Sequence, residues 1–312
     1  QDEIASSIAA SLLKTIVPLK TKTTADVVAY DYYLRGKKFL NRFSKSDFEF
    51  ARQMFHQAIE RDPKFSLAWA SYADCFSFEV MYAKPTPQFK DEAREASDRA
   101  LELGPELAEA HASAGLARLV SEDFETAEQE FKKAIELNPS LFEAYYYFAR
   151  TRFHQGDMVE AAELFAKAAT LNPEDYQSRL LRVQILRGAG QLDKARDEAR
   201  KAIEVVEKHL EYHPDDVRAL HLGAGSLIVL GDTEKAISWL NRGLEIDPDD
   251  PISLYNVACN LSTLNRVEDA RDHLERAAEI GTISEDWMAN DADLVNLHAH
   301  PRYSALLKKV AA

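Results

Sequence analysis

The residues able to do chemistry are scattered along this chain rather than clustered. His298 and His300, in "HAH", lack the spaced partner set that holds zinc, and read as surface histidines of a terminal segment. Gly223 and Gly225 begin a glycine motif, but Ile228 stands at the third glycine position and no strand precedes it, so a dinucleotide fingerprint is incomplete. Neither a phosphate-binding P-loop nor a G-x-S-x-G elbow occurs. The many Asp and Glu residues fall on helix faces that normally meet solvent. Cys75 and Cys259 are too few for a disulfide framework and read as reduced, buried thiols that do not bond to one another. The reading is a chain with no catalytic residue, metal or cofactor, and hence not an enzyme.

The bulk numbers narrow the partners. The chain has 312 residues, 46% of them hydrophobic, and a formal charge of −14. That acidity excludes nucleic acid and anionic membrane as main partners, since both need clustered Lys and Arg. No apolar run approaches the ~20 residues of a membrane span. The first residue is Gln1, not Met, which predicts a longer polypeptide upstream. A cytoplasmic location follows, with the periplasm as the alternative if a membrane span precedes Gln1.

One stretch resists a simple reading. "FEAYYYFARTRFHQGD", residues 142–157, holds three consecutive tyrosines. Adjacent helix positions lie about 100° apart, so three in a row cannot share one buried face. Their roles depend on the elements that carry them.

Those elements repeat. "AIERDP", "ALELGP", "AIELNP", "AATLNP" and "GLEIDP" recur, and Pro105, Pro139 and Pro173 are 34 residues apart, as are Pro214 and Pro248. The steps from Pro63 to Pro105 and from Pro173 to Pro214 are 42 and 41. Seven copies align. Position 8 is Gly36, Ala73, Gly115, Ala149, Val183, Ala224 and Ala258, and position 20 is Ala in every copy. Position 27 is Ala except for Gly243, and position 24 carries Phe55, Phe131, Phe165, Leu240 and Leu274, with Ser97 and Ala199 departing. Small residues let two antiparallel helices approach closely, and the large one fills the space beside them. Each proline is expected in the first turn of a new repeat. Gly156, Gly190 and Gly231, at position 15, are expected to end first helices in a left-handed conformation. "EVMYAKPTPQFK" lengthens the turn of the second repeat, "NRFSKSD" that of the first, and "AIEVVEKHLEYHP" extends the second helix of the fifth.

A 34-residue helix-turn-helix period of this composition resembles the tetratricopeptide repeat. The resemblance implies an all-α, right-handed superhelical solenoid of helix pairs. An amphipathic N-terminal helix over 4–17 and C-terminal capping helices over 291–297 and 301–310 complete it. The domain reading is 1–24 for the N-terminal helix and linker, 25–281 for seven repeats and 282–312 for the cap. A second resemblance lies in "QDEIASSIAASL", "AYDYYLRGKKFLNR" and "DADLVNLHAHPRYSALL". They are similar to a bacterial architecture in which a TolB-like segment, following a nucleotide cyclase, a serine/threonine kinase or a winged-helix regulator, leads into such an array. It implies the regulatory half of a signalling protein.

In this family the first helix of each repeat lines a concave groove through positions 2, 5, 9, 12 and 13. Carried over by position, those sites are Tyr30, Tyr33 and Lys37 in the first repeat, and Tyr146, Arg150, Phe153 and His154 in the fourth. Arg187 follows in the fifth, and Arg218 and His221 in the sixth. Asp74, Glu109, Glu143, Gln184 and Tyr255 fall on the same positions. Tyr145 becomes core, Tyr146 groove and Tyr147 rim. The resemblance therefore implies a scaffold that binds a peptide or partner protein in that groove. Arg150, Arg187 and Arg218 beside aromatic rings suit an acidic side chain or a free C-terminal carboxylate. The alternative is a self-association module, a homodimer pairing an upstream output domain.

Overall fold

In the computed structural model the described residues are 24–40, 45–82, 86–280, 288 and 291–310. Among them are α-helices, one 3₁₀-helix and no strand. The helices are α1 (Val27–Leu40), α2 (Lys45–Arg61), α3 (Ser66–Tyr82), α4 (Pro87–Leu103), α5 (Ala108–Val120), α6 (Phe124–Leu137) and α7 (Phe142–His154). Then follow α8 (Met158–Leu171), α9 (Tyr176–Gly188), α10 (Leu192–Tyr212), α11 (Val217–Leu230), α12 (Thr233–Ile246), α13 (Pro251–Thr263) and α14 (Val267–Ile280). The 3₁₀-helix Ala292–Leu297 and α15 (Pro301–Val310) end the chain. The expected N-terminal helix lies outside the described residues. The chain forms two compact units, residues 1–155 with α1–α7 and residues 156–312 with α8–α15.

Steric matching builds each helix pair. All seven alanines of position 20 are fully buried: Ala51, Ala93, Ala127, Ala161, Ala195, Ala236 and Ala270. Phe55, Phe131 and Leu274 are 0% exposed. Glycine at position 8 answers a ring at position 24. A Cβ on Gly36 would sit 2.5 Å from Phe55, and one on Gly115 would sit 2.7 Å from Phe131.

The turns follow two rules. Asp123, Asp157, Asp175, Asp216, Asp232 and Asp250 are N-caps whose carboxylates accept from backbone N–H groups of the first turn. The left-handed residue at position 15 belongs to the repeat itself: Gly156, Gly190 and Gly231 have φ of 80°, 71° and 85°. Glu122 and Asn265, at the same position in the third and seventh repeats, adopt 64° and 58° without being glycine.

The repeat prolines behave differently from expectation. Pro63, Pro105, Pro139, Pro173, Pro214 and Pro248 lie in the turns between repeats and not in a first helical turn. They stop the preceding second helix, because Pro just past a C-cap cannot continue it. Helix-starting prolines are Pro87, Pro251 and Pro301.

The insertions are mostly helix. α3 has 17 residues against 13 in α5, α7, α9 and α13, so the second-repeat insert adds about a turn that ends in Tyr82. α10 has 21 residues against 14 in α12. Its extra two turns do not project free. His209 Nε2 lies 2.8 Å from Asp216 Oδ2, which also accepts from Tyr176 Oη at 2.9 Å.

Candidate functional site

In the N-terminal unit the first helices α1, α3, α5 and α7 share one face. Side chains two repeats apart meet across it. Arg150 Nη1 of α7 donates to Tyr82 Oη of α3 at 2.6 Å, and its guanidinium lies 5.5 Å from the Tyr82 ring centroid. Phe78 approaches Tyr147 at 6.0 Å between centroids. This is therefore the inner face, narrow enough for α3 and α7 to touch in front of α5.

Tyr33 packs on Phe55 and Phe65 at 5.8 and 5.2 Å and stacks on Tyr30 at 5.9 Å. Lys37, one helical turn on, faces carboxylates from two other helices. Burial works against its cation, but Tyr33, Asp74 and Glu143 outweigh that and raise its pKa. Burial pushes Asp74 up to about 6, with Lys37 opposing. The inner face is thus of mixed charge, with Asp74, Glu109 and Glu143 set among Lys37 and Arg150.

The tyrosine run splits otherwise than expected. Tyr146 is 4% exposed, stacked on Phe142 at 5.6 Å and edge-on to Tyr147 at 5.0 Å. Tyr147 is buried too, whereas Tyr145 is half-buried and donates to the Pro139 carbonyl at 3.3 Å. The core tyrosines are 146 and 147, because α3 reaches across to cover that face. Phe153 keeps an exposed ring at 37%. His154 stacks on Phe124 at 5.9 Å with part of its ring exposed. Desolvation first and Arg150 second lower its pKa to about 4.

In the C-terminal unit the corresponding face belongs to α9, α11 and α13. Arg218 Nε donates to Gln177 Oε1 at 2.8 Å. Arg187 donates to Thr263 Oγ1 at 3.2 Å and pairs with Asp293. Gln184 Nε2 donates to the other Asp293 oxygen at 3.3 Å, and Tyr255 Oη donates to Asp291 Oδ2 at 2.8 Å. The three arginines expected in one groove are divided between the units. Arg150 lies in the N-terminal unit, Arg187 and Arg218 in the C-terminal one, and each is hydrogen-bonded within its own unit.

His221 does not line a groove. It is 1% exposed and points at Gly243, where a Cβ would lie 2.1 Å from its Nε2. The sixth repeat lacks the usual Ala at position 27, and the imidazole fills the vacated space. Among the described residues neither ring nitrogen completes a well-formed hydrogen bond, and burial lowers its pKa to about 4, with Asp250 and the Leu240 backbone opposing.

Glu198 also departs from the solvated reading of the acids. It is 5% exposed and grips Arg179 Nη1 at 3.0 Å together with Arg182. Its position on the second helix of the fifth repeat gave no sign of this, because the two arginines come from α9. Tyr82 was equally hidden, lying past the repeat pattern. Cys75 and Cys259 are buried, and burial raises both thiol pKa values well above the ordinary range. Among the described residues no cluster of His, Cys, Asp or Glu could hold a metal ion, and no helix is long and apolar enough to cross a membrane.

Residues 88–141, 113–176 and 149–204 match the family model described as tetratricopeptide repeat. Residues 195–277 match that described as anaphase-promoting complex, cyclosome, subunit 3. No curated protein matches the chain. Among solved structures, one from the APC/C hetero-tetramer Cut9-Hcn1 is 15% identical with a TM-score of 0.60, covering 99% of this chain and 59% of that one. PilW, a type IV pilus biogenesis factor, is 20% identical with a TM-score of 0.51, covering 72% of this chain and 94% of that one. PilF of Pseudomonas aeruginosa is 21% identical with a TM-score of 0.50, covering 71% and 92%. These likenesses are of fold.

Proposed function

We propose that this chain of tetratricopeptide repeats is a non-catalytic scaffold that binds a peptide or partner protein on the inner faces of its first helices. The observation that carries this reading is the N-terminal inner face. Repeat packing needs only small and apolar residues, yet that face presents Tyr33, Lys37, Asp74, Glu143 and Arg150 from three different helices. Side chains held by neighbours lose little freedom on binding, which favours recognition. Solved structures of this fold include one from a hetero-tetramer and a type IV pilus biogenesis factor, which agrees with a role in assembly. The terminal strings similar to TolB-linked regulators support a place in a larger bacterial signalling protein.

Titration calorimetry with a partner protein tests this. Glu143→Ala and Arg150→Ala should each weaken binding by about tenfold or more, the size of a lost charge-assisted contact. Arg99→Ala, in an exposed pair with Glu102 on the outer helix α4, should change it less than about twofold. Equal losses at the three sites would place the interface elsewhere. Light scattering that showed a stable dimer dissolved by the inner-face substitutions would favour the self-association reading.

A further inference from the structure

The end of the chain does more than cover the last helix pair. Tyr303 and Leu306 of α15 and Met288 pack into the core with Leu274 of α14, and that closes the open end. The segment Asp291–Leu297 reaches further. Its Asp291 accepts from Tyr255 and its Asn296 Nδ2 donates to the Ser262 carbonyl at 2.7 Å, both on α13. Its Asp293 meets Gln184 and Arg187 on α9, the first helix of a repeat two away. A cap for α13 and α14 has no need of α9. The residues contacted are inner-face positions: 9 and 12 of the fifth repeat, 5 and 12 of the seventh.

The segment has the chemistry of a bound peptide. Two carboxylates alternate along "DADL", and the next residue, Leu294, is fully buried, as is Leu297. Val295 between them is 57% exposed. Arginine and glutamine take both oxygens of Asp293, a charge-assisted arrangement. Burial raises the Asp293 pKa while Arg187 opposes it, so desolvation offsets much of the ion pair. A contact balanced in this way can be exchanged for an equivalent one from another chain.

We infer that the inner face of α9 and α13 is a receptor for an acidic segment of the form carboxylate–x–carboxylate–large aliphatic, and that the chain's own Asp291–Leu297 occupies it as a built-in competitor. The inference rests on the scaffold reading and adds the ligand class for one of its two faces. A partner carrying such a segment must displace the internal one. Its apparent affinity is reduced by the fraction of molecules in which the site is open.

The test uses the full chain and the fluorescein-labelled peptide DADLVNL. The double variant D291N/D293N removes the internal carboxylates that help to hold the segment and so makes it easier to displace. It should bind the peptide about tenfold or more tightly than wild type, as a lost pair of charge-assisted bonds opens the site. Adding Arg187→Ala should abolish the gain, and the control peptide NANLVNL should show none. Equal affinity of wild type and D291N/D293N for DADLVNL would overturn the inference. Should D291N/D293N fail to fold, amide exchange in wild type decides. Saturating unlabelled DADLVNL should speed exchange over 291–297, and unchanged exchange would overturn the proposal. Loss of this peptide's binding leaves the scaffold reading intact if a partner still binds the N-terminal inner face through Glu143 and Arg150.

Discussion

Gly243→Ala should destabilise the protein by about 1–3 kcal/mol, the cost of an overpacked core. Helix propensity alone forecasts the opposite sign, since Ala is favoured over Gly by about 1 kcal/mol inside a helix. The other six repeats carry Ala at this position. Here the new methyl would lie 2.1 Å from His221 Nε2, and the ring, 1% exposed, has nowhere to turn. The second and third repeats solve the same contact with Ala70 against Ala100 and Ala112 against Ala134. The double variant H221A/G243A copies that solution and should recover most of the loss. Denaturant unfolding of the three proteins reads this directly. A single G243A that matched or exceeded wild type would show that the imidazole does not occupy this space.

The same pair carries a pH signature. The His221 pKa is held down at about 4 in the folded state, against about 6.5 when unfolded. Between those values the unfolded chain binds the extra proton, so stability falls as pH drops and levels off below about 4. Up to roughly 3 kcal/mol is at stake by this linkage, with Asp250 nearby moderating it. Asp74, raised to about 6, acts with the opposite sign, gaining stability as pH falls toward its ordinary value. Its contribution is common to both proteins and cancels when wild type is compared with H221A/G243A.

Glu198→Ala should cost about 2–4 kcal/mol, somewhat less than removing a fully buried partner because the arginines keep some solvent contact. The carboxylate is 5% exposed and bridges Arg179 and Arg182, whose side chains are 19% and 27% exposed. Among the described residues their Nε atoms have no partner, so removing Glu198 leaves two half-buried cations without their shared carboxylate. Glu198→Gln keeps the shape and one acceptor and should cost less. A change of under about 0.5 kcal/mol for Glu198→Ala, typical of an exposed pair, would contradict the arrangement.

What the sequence made legible was the part governed by periodic sterics. Alanine at position 20, the rings at position 24 and the terminal helices over 291–297 and 301–310 follow from local pattern, and they stand where expected. The surface between repeats was less legible, because its partners come from other helices, as with Tyr82 and Arg150, 68 residues apart. No local period encodes that reach. His221 went astray for the same kind of reason. The position rule assigned it to the groove, but the neighbouring glycine, already visible as a departure at position 27, opened a buried seat. The contact of Asp293 with Arg187 joins residues 106 apart and had no signal beyond an arginine without a local acid.

The central claim is that partners dock on the inner face. Site-specific photo-crosslinking tests it most directly. A benzophenone side chain is placed at Phe153, an exposed ring near the end of α7, or at Glu136, exposed at the end of α6. Irradiation with a bound partner should give adducts from position 153 and few or none from position 136. Adducts at 136 with none at 153 would contradict the account.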